Sequence, residues 1–303
     1  MKNLVVRICA LVLFCAAITA GLAGGGSMPA AARGAEARSA PSLGTVAVDD
    51  QGLTKADKSF VDAVGKADKA ALGKLLDASF EWTDVDGKTL TRAGVLQDLP
   101  KLLTIGGSGA QMTVHTYGEV GLVRVDDGLA HVLRVWVKRP AGWKAMVYQE
   151  VRSLAAPPTV TPGTGKDCEN PCKSLPYQPK NDAERGAIAS YMGLETASVA
   201  HDSPSWGPHV ADEFVAASSY SNKLLTKTER MAELAKSQMA GLAPTPAVTM
   251  HLVDFGDTIV MLSKQQPTLG KPLHITRVWT KRDGNWVILV AFQTAIQAEA
   301  AKS

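Results

Sequence analysis

The run from His131 to Trp143 recurs 143 positions later, from His274 to Trp286, with His, Arg, Val, Trp, Lys, Arg and the closing Trp holding the same places. Self-similarity over so long a period means that one folding unit is present twice, which excludes a single large core and any short-period solenoid. Smaller matches agree: Lys88-Thr-Leu-Thr91-Arg92 corresponds to Lys223-Leu-Leu-Thr226-Lys227, and Thr113-Val-His115 to Thr249-Met-His251. Between the second histidine and the third strand the second copy is seven residues longer, the excess including Gln265 to Lys271, and insertions of this kind fall in loops.

With 303 residues, 46% of them apolar, there is enough chain for two ordinary cores. We expect a first domain over residues 52–154 and a second over 181–299. The stretch 155–180, with Pro, Gly and a cysteine pair, reads as a linker. Residues 1–32 read as an export signal: Lys2 and Arg7 form a basic start, Ile8 to Ala20 an apolar run, and Ala30-Ala31-Ala32 a small-residue cleavage site. The apolar run is broken by Gly21 and by Gly24 to Gly26 before it reaches the ~20 residues a membrane span needs. Residues 33–51 read as a disordered leader, and the mature protein is expected to be periplasmic or extracellular.

Removal of Lys2 and Arg7 leaves 30 basic against 29 acidic side chains. That balance argues against the basic stripe of a nucleic-acid binder and against a polybasic membrane contact. Cleavage also leaves Cys168 and Cys172 as the cysteines of the mature chain, which in an exported protein read as a disulfide closing a small loop. Only carboxylates surround them, so no metal is expected there.

Within each copy the periodicity predicts helices first and short strands after. A helix starts at Thr54, with Asp57 three positions on, and a second follows the break at Gly65 to Asp68. Phe80 to Gly87 reads as a strand entering an Asp-Gly turn, Thr91 opens a helix, and four strands follow from Thr113 to Val151. In the second copy a helix spans Asp182 to Ala200, a short helical turn runs to Phe214, Thr226 and Glu229 form a capping box, and four strands lie between Val248 and Thr294.

Helix, helix, strand, helix and a set of long antiparallel strands is the order of the nuclear transport factor two-like superfamily, which includes SnoaL-like proteins and ketosteroid isomerases. Both copies resemble it over nearly their whole length. The run Thr276-Arg277-Val-Trp279 through Trp286 is similar to the association domain of calcium/calmodulin-dependent kinase II, and Phe80 to Arg92 resembles a stretch of the SnoaL-like members. The fold this implies is α+β, two tandem cone-shaped domains, each a curved antiparallel sheet wrapped around its N-terminal helices. The resemblance implies that Arg277, and Arg134 in the first copy, face a pocket enclosed by the sheet. It also implies a second pocket residue seven positions after the last Trp; these positions hold Glu150 and Gln293 instead of arginine, so a doubly cationic anion site is not reproduced. An Arg134–Glu150 pair would neutralise itself. Tyr191, on the first helix of the second copy, is at a level where superfamily members place pocket residues.

Alternation puts Val132, Arg134 and Trp136 on one strand face, and Ile275, Arg277 and Trp279 on its counterpart. The strand histidines His115, His131, His251 and His274 read as solvent-side residues, and no cofactor or metal motif such as H-E-x-x-H or a phosphate loop is present. The ketosteroid isomerases of this fold use an aspartate as base, and Asp84 stands where that base would; Asp84 and Asp86 serve equally well as turn residues. Three readings stay open. The favoured one is an exported protein whose pockets bind a small, partly apolar molecule. The others are an isomerase- or dehydratase-like enzyme with Asp84 as base, and a structural module whose copies pair within the chain or that forms homodimers.

Overall fold

A computed structural model describes residues 48–103, 110–128, 130–157, 161–221, 223–237 and 240–297. The expected signal segment and most of the leader lie outside them. The first unit runs α1 (Val48–Gly65), α2 (Lys69–Leu75), β1 (Leu76–Thr83), β2 (Thr89–Thr91), α3 (Arg92–Gln97), β3 (Gln111–Tyr117), β4 (Val120–Asp126), β5 (Ala130–Arg139) and β6 (Gly142–Arg152). The second repeats the order with α4 (Asp182–Val199), α5 (Ser203–Trp206), a 3₁₀ turn at Gly207–His209, β7 (Val210–Ser218), β8 (Leu225–Thr226), α6 (Lys227–Lys236), β9 (Ala247–Asp254), β10 (Thr258–Gln265), β11 (Leu273–Arg282) and β12 (Asn285–Ala295).

Each unit holds one six-stranded sheet, ordered β2-β1-β6-β5-β4-β3 and β8-β7-β12-β11-β10-β9. The sheets are mixed, not antiparallel throughout as expected: β1 lies parallel to β6 and β7 parallel to β12. The chain leaves β1 through a short hairpin and α3, starts the meander at the far edge, and returns after three reversals beside β1 in the same direction.

Several local expectations gave way to tertiary contacts. α1 begins at Val48, inside the stretch read as leader, so Thr54 and Asp57 sit within the helix. Asp57 is buried and serves the sheet instead of capping. The helical turn expected as far as Phe214 ends at His209, and Phe214 belongs to β7, because residues 210–218 find a parallel partner in β12. The caps at Thr91 and Thr226 form as their sequences imply, the second as a full capping box with Glu229. The segment after the first unit packs onto the second: the Asn170 side chain bonds both the N–H and the carbonyl of Ala247 at 2.9 Å. Cys168 and Cys172 are at disulfide distance, their Cα atoms 5.5 Å apart, and they cluster with Val199 at the end of α4.

Helices cover one face of each sheet, and the other faces pack on one another. One apolar cluster joins Leu133, Val135, Val137, Met146 and Val147 to Val260, Val278, Leu289, Val290 and Phe292. This is why β5 and β11 are buried on both faces, and burial of each aliphatic side chain contributes about 1.5–3 kcal/mol. Polar groups stitch the same seam. The Gln149 amide donates to the carbonyls of His274 and Phe292 and to the Thr294 hydroxyl, and Thr294 donates to the Glu150 carbonyl at 2.6 Å. The domains therefore pair within the chain.

This pairing corrects the placement of two histidines. His115 and His251, on edge strands, are exposed, but His131 and His274 are 2% and 7% exposed, because the face opposite the helices meets the sister sheet, not water. His274 Nε2 lies 2.6 Å from the Thr89 hydroxyl of the first domain. Burial, with the charge of Lys264 adding to it, pushes its pKa down to about 4. An unfolded chain with a histidine pKa near 6.5 then binds more protons than the folded one between those values, so stability rises with pH through that window and is lost on acidification. At pH 4.5 this one group costs about 2–3 kcal/mol relative to pH 7. Urea unfolding at both pH values should show a correspondingly smaller acid loss in His274→Gln. Glu81, whose pKa burial raises, has Oε1 3.9 Å from His274 Nδ1 and loses that neighbour in the variant, so the comparison reads the two groups together.

Candidate functional site

The two helix-covered cores differ in what fills them. In the first, Phe60 of α1 is ringed by Phe80, Trp82, Trp136 and Tyr148, with ring centroids 6.0–6.4 Å away. Trp82 and Tyr148, directly paired across β1 and β6, stack at 3.7 Å. The strand registers give their counterparts: Arg134 pairs with Tyr148 where Arg277 pairs with Ala291, and Ala291 pairs with Ala216. A stacked Trp–Tyr pair in one domain is thus a pair of alanines in the other. A cavity of about 450 Å³ opens there, with Ala216, Ala291, Phe214, Trp206, Leu194 and Ile288 among its apolar walls. Arg277, Glu195, Gln265, Gln293 and Ser218 supply polar lining, and Lys223, Arg230 and Glu233 add charge.

The arginines are held differently. Arg134 grips Asp57 with two nitrogens, at 2.6 and 2.8 Å, and the Trp136 indole N–H donates to the same carboxylate at 3.1 Å. Helices α1 and α4 are both 18 residues long, and their starts, Val48 and Asp182, align Asp57 with Tyr191. Arg277 therefore has no carboxylate at that position. Its guanidinium lies 4.8 Å from the Tyr191 ring centre, a cation–π contact. It donates to Glu195 at 3.0 Å and weakly to Ser263 at 3.4 Å, while the Trp279 indole N–H, deprived of an Asp57 equivalent, has no partner among the described residues. Burial raises the Glu195 pKa, with Arg277 and Arg230 opposing it. Tyr191, fully buried, accepts from the Gln265 amide and does not itself line the cavity.

Glu150 is not the partner of Arg134. Its carboxylate accepts from the Tyr148 hydroxyl at 2.8 Å and from the backbone N–H groups of Leu103 and Val85 at 2.9 and 3.2 Å, and burial raises its pKa. Gln293 lines the second cavity beside Ser218, with which it is paired in register. Asp84 accepts from the N–H groups of Asp86 and Lys88 at 3.0 and 2.9 Å, so its carboxylate shapes the turn, and it lines none of the three principal cavities. Among the described residues no three His, Cys, Asp or Glu side chains are grouped to hold a metal ion, and no helix is long and apolar enough to cross a membrane.

The sequence marks Asp57 only as part of a helix start, and it singles out neither Glu195 nor the alanine pair. The Tyr148-to-Ala291 exchange was visible in the 143-residue repeat, whereas the Trp82-to-Ala216 exchange required knowing that residues 210–218 form a strand.

The geometry defines a class: a tandem α+β protein with one filled domain and one that keeps a cation-lined cavity. Each half has the element order of the NTF2-like (nuclear transport factor two-like) fold that its sequence resembles. Among solved structures, an NTF2-like protein from Cytophaga hutchinsonii is similar at 24% identity, over 38% of this chain and 99% of that one, with a TM-score of 0.33. An NTF-2-like protein of unknown function from Silicibacter pomeroyi is 14% identical over 39% and 99%, TM-score 0.32. The association domain of CaMKII from C. elegans is 12% identical over 37% and 95%, TM-score 0.33. No protein-family model and no curated protein matches the sequence.

Proposed function

We propose that this is an exported binding protein whose second domain holds a small, partly apolar ligand, while the first serves as its packed structural partner. The observation that carries this reading is the replacement of the stacked Trp82–Tyr148 pair by Ala216 and Ala291, which leaves a cavity within the ~300–1,000 Å³ range of small-molecule sites. Export is supported by the N-terminal sequence pattern and by the Cys168–Cys172 pair, which suits an oxidising compartment. Arg277 gives the ligand a fixed polar contact, since part of its donor capacity is unused by Glu195 and Ser263. A proton-transfer reading finds a better candidate in Glu195, a half-buried carboxyl within the cavity, than in Asp84, which is committed to a turn.

Native mass spectrometry of the exported protein, purified without detergent or additives, is the direct test. The expected spectrum shows a non-covalent adduct of a few hundred daltons in the wild type that is reduced at least about tenfold in Arg277→Leu, consistent with loss of a charge-assisted hydrogen bond. An adduct equally abundant in both proteins would remove Arg277 from the site, and no adduct in either would count against occupancy.

A further inference from the structure

The seam between the sheets carries the repeated strand histidine at two places, and the two are satisfied differently. His274 of the second domain meets the Thr89 hydroxyl of the first at 2.6 Å. By the repeat, Lys88-Thr89-Leu90-Thr91 matches Lys223-Leu224-Leu225-Thr226, so the residue that should serve His131 in the same way is Leu224, which has no hydroxyl. Beside it lies a cavity of about 100 Å³, lined by Gln111, Thr113, Arg124, Asp126 and His131 of the first domain and closed by Leu224 and Phe292 of the second.

The polar residues come together by register. Gln111, Asp126 and His131 are cross-strand partners over β3, β4 and β5, and Thr113 pairs with Arg124 in the adjacent row. His131 is 2% exposed, and both its Nε2 and the Thr113 hydroxyl lack a hydrogen-bond partner among the described residues. Asp126 is already engaged, accepting from His131 Nδ1 at 2.9 Å and from the Gly128 N–H at 2.7 Å. Arg124 is half-buried, feels Asp126 only through space, and makes no hydrogen bond or ion pair with any described residue. Buried polar atoms without partners are costly, and a half-buried cation without a contacting counter-charge adds to the cost. In the second domain the register places Leu262 and Lys264 where the first has Arg124 and Asp126, so the site is not duplicated.

We propose that this seam cavity binds one small monovalent anion, of halide, nitrate or short-carboxylate size, held by the Arg124 guanidinium, the Thr113 hydroxyl and His131 Nε2. Asp126 fixes the ring proton on Nδ1, so Nε2 donates only when the ring is an imidazolium. With the ring as an imidazolium, the two cations Arg124 and His131 balance Asp126 and the anion. The groups facing the ring are Asp126 and Arg124 from β4, Gln111 and Thr113 from β3, and the apolar Leu224 and Phe292 from the second domain. A cation is disfavoured by Arg124, and the volume leaves room for only a few heavy atoms.

The test is thermal unfolding of the full exported chain at pH 6 in sodium nitrate against equimolar sodium gluconate, whose anion is too large for the cavity. The expected result is a saturable rise in Tm with nitrate, with half-saturation at least about tenfold weaker in Arg124→Gln, the effect of one lost charge-assisted contact. Leu224→Thr, which offers His131 the hydroxyl that Thr89 offers His274, should abolish the nitrate response while the protein stays folded. Spectra of protein with ¹⁵N-labelled histidine give a second readout, a nitrate-dependent shift of His131 Nε2 present in the wild type and absent in Leu224→Thr. No nitrate response in the wild type, or the same response in all three proteins, would overturn the proposal and leave the cavity to water. Acetate in place of nitrate separates a short carboxylate from an inorganic anion.

Discussion

Asp57→Ala should destabilise the protein by about 3–5 kcal/mol. Asp57 is 3% exposed and holds Arg134 through two short bonds, with the Trp136 indole N–H as a third donor. Alanine would leave a guanidinium that is 7% exposed with no counter-charge, and an indole N–H with no acceptor. The same principle predicts the remedy. Removing both charges, in Asp57→Leu with Arg134→Met, should recover most of the loss, because an isosteric apolar pair in a dry core is often as stable as the ion pair it replaces. Urea midpoints of the wild type, the single and the double variant check this. A single variant within about 1 kcal/mol of wild type would show that the pair is not what holds α1 to the sheet.

The second large effect concerns binding. Ala291→Tyr with Ala216→Trp rebuilds in the second domain the stacked pair that fills the first. It should eliminate ligand retention, since the rings would occupy the volume that the alanines leave open, with stability unchanged or raised because a cavity is filled. Native mass spectrometry and unfolding on the same samples separate these outcomes. Retention of the adduct in a folded double variant would move the site elsewhere. The reciprocal change, Tyr148→Ala, should cost about 3–5 kcal/mol, because it empties a packed aromatic cluster in which nothing waits to take its place.

Much of the fold could be read along the chain, and the reasons are local. Strand ends, the capping box at Thr226 and the shared face of Val132, Arg134 and Trp136 all follow from alternation and from turn and cap chemistry, which act within a few residues. The candidate site was less legible. Glu150 was matched to Arg134 because the resemblance puts a second pocket residue at its position, yet the carboxylate that meets Arg134 stands on α1, 77 residues away in sequence. Asp57 carried the signal of a helix cap and was read as one. Glu195 carried no signal, since an acidic residue on a helix is ordinarily solvated.

By itself the sequence determined the duplication, the α+β order of the first unit, and the residues that share a face of β5 and of β11. These are consequences of backbone geometry and of a repeat that can be counted. The tertiary structure alone decided what lies over each face. It set the second sheet against the strand histidines, giving Thr89 to His274 and only Leu224 to His131. It also put Asp57 under one arginine and Tyr191 under the other, and it brought two alanines from β7 and β12 together to leave space where the sister domain has rings. A side chain's face is set by its own few neighbours in the chain. Its partner across that face comes from a segment dozens of residues away, and only the assembled packing brings the two together.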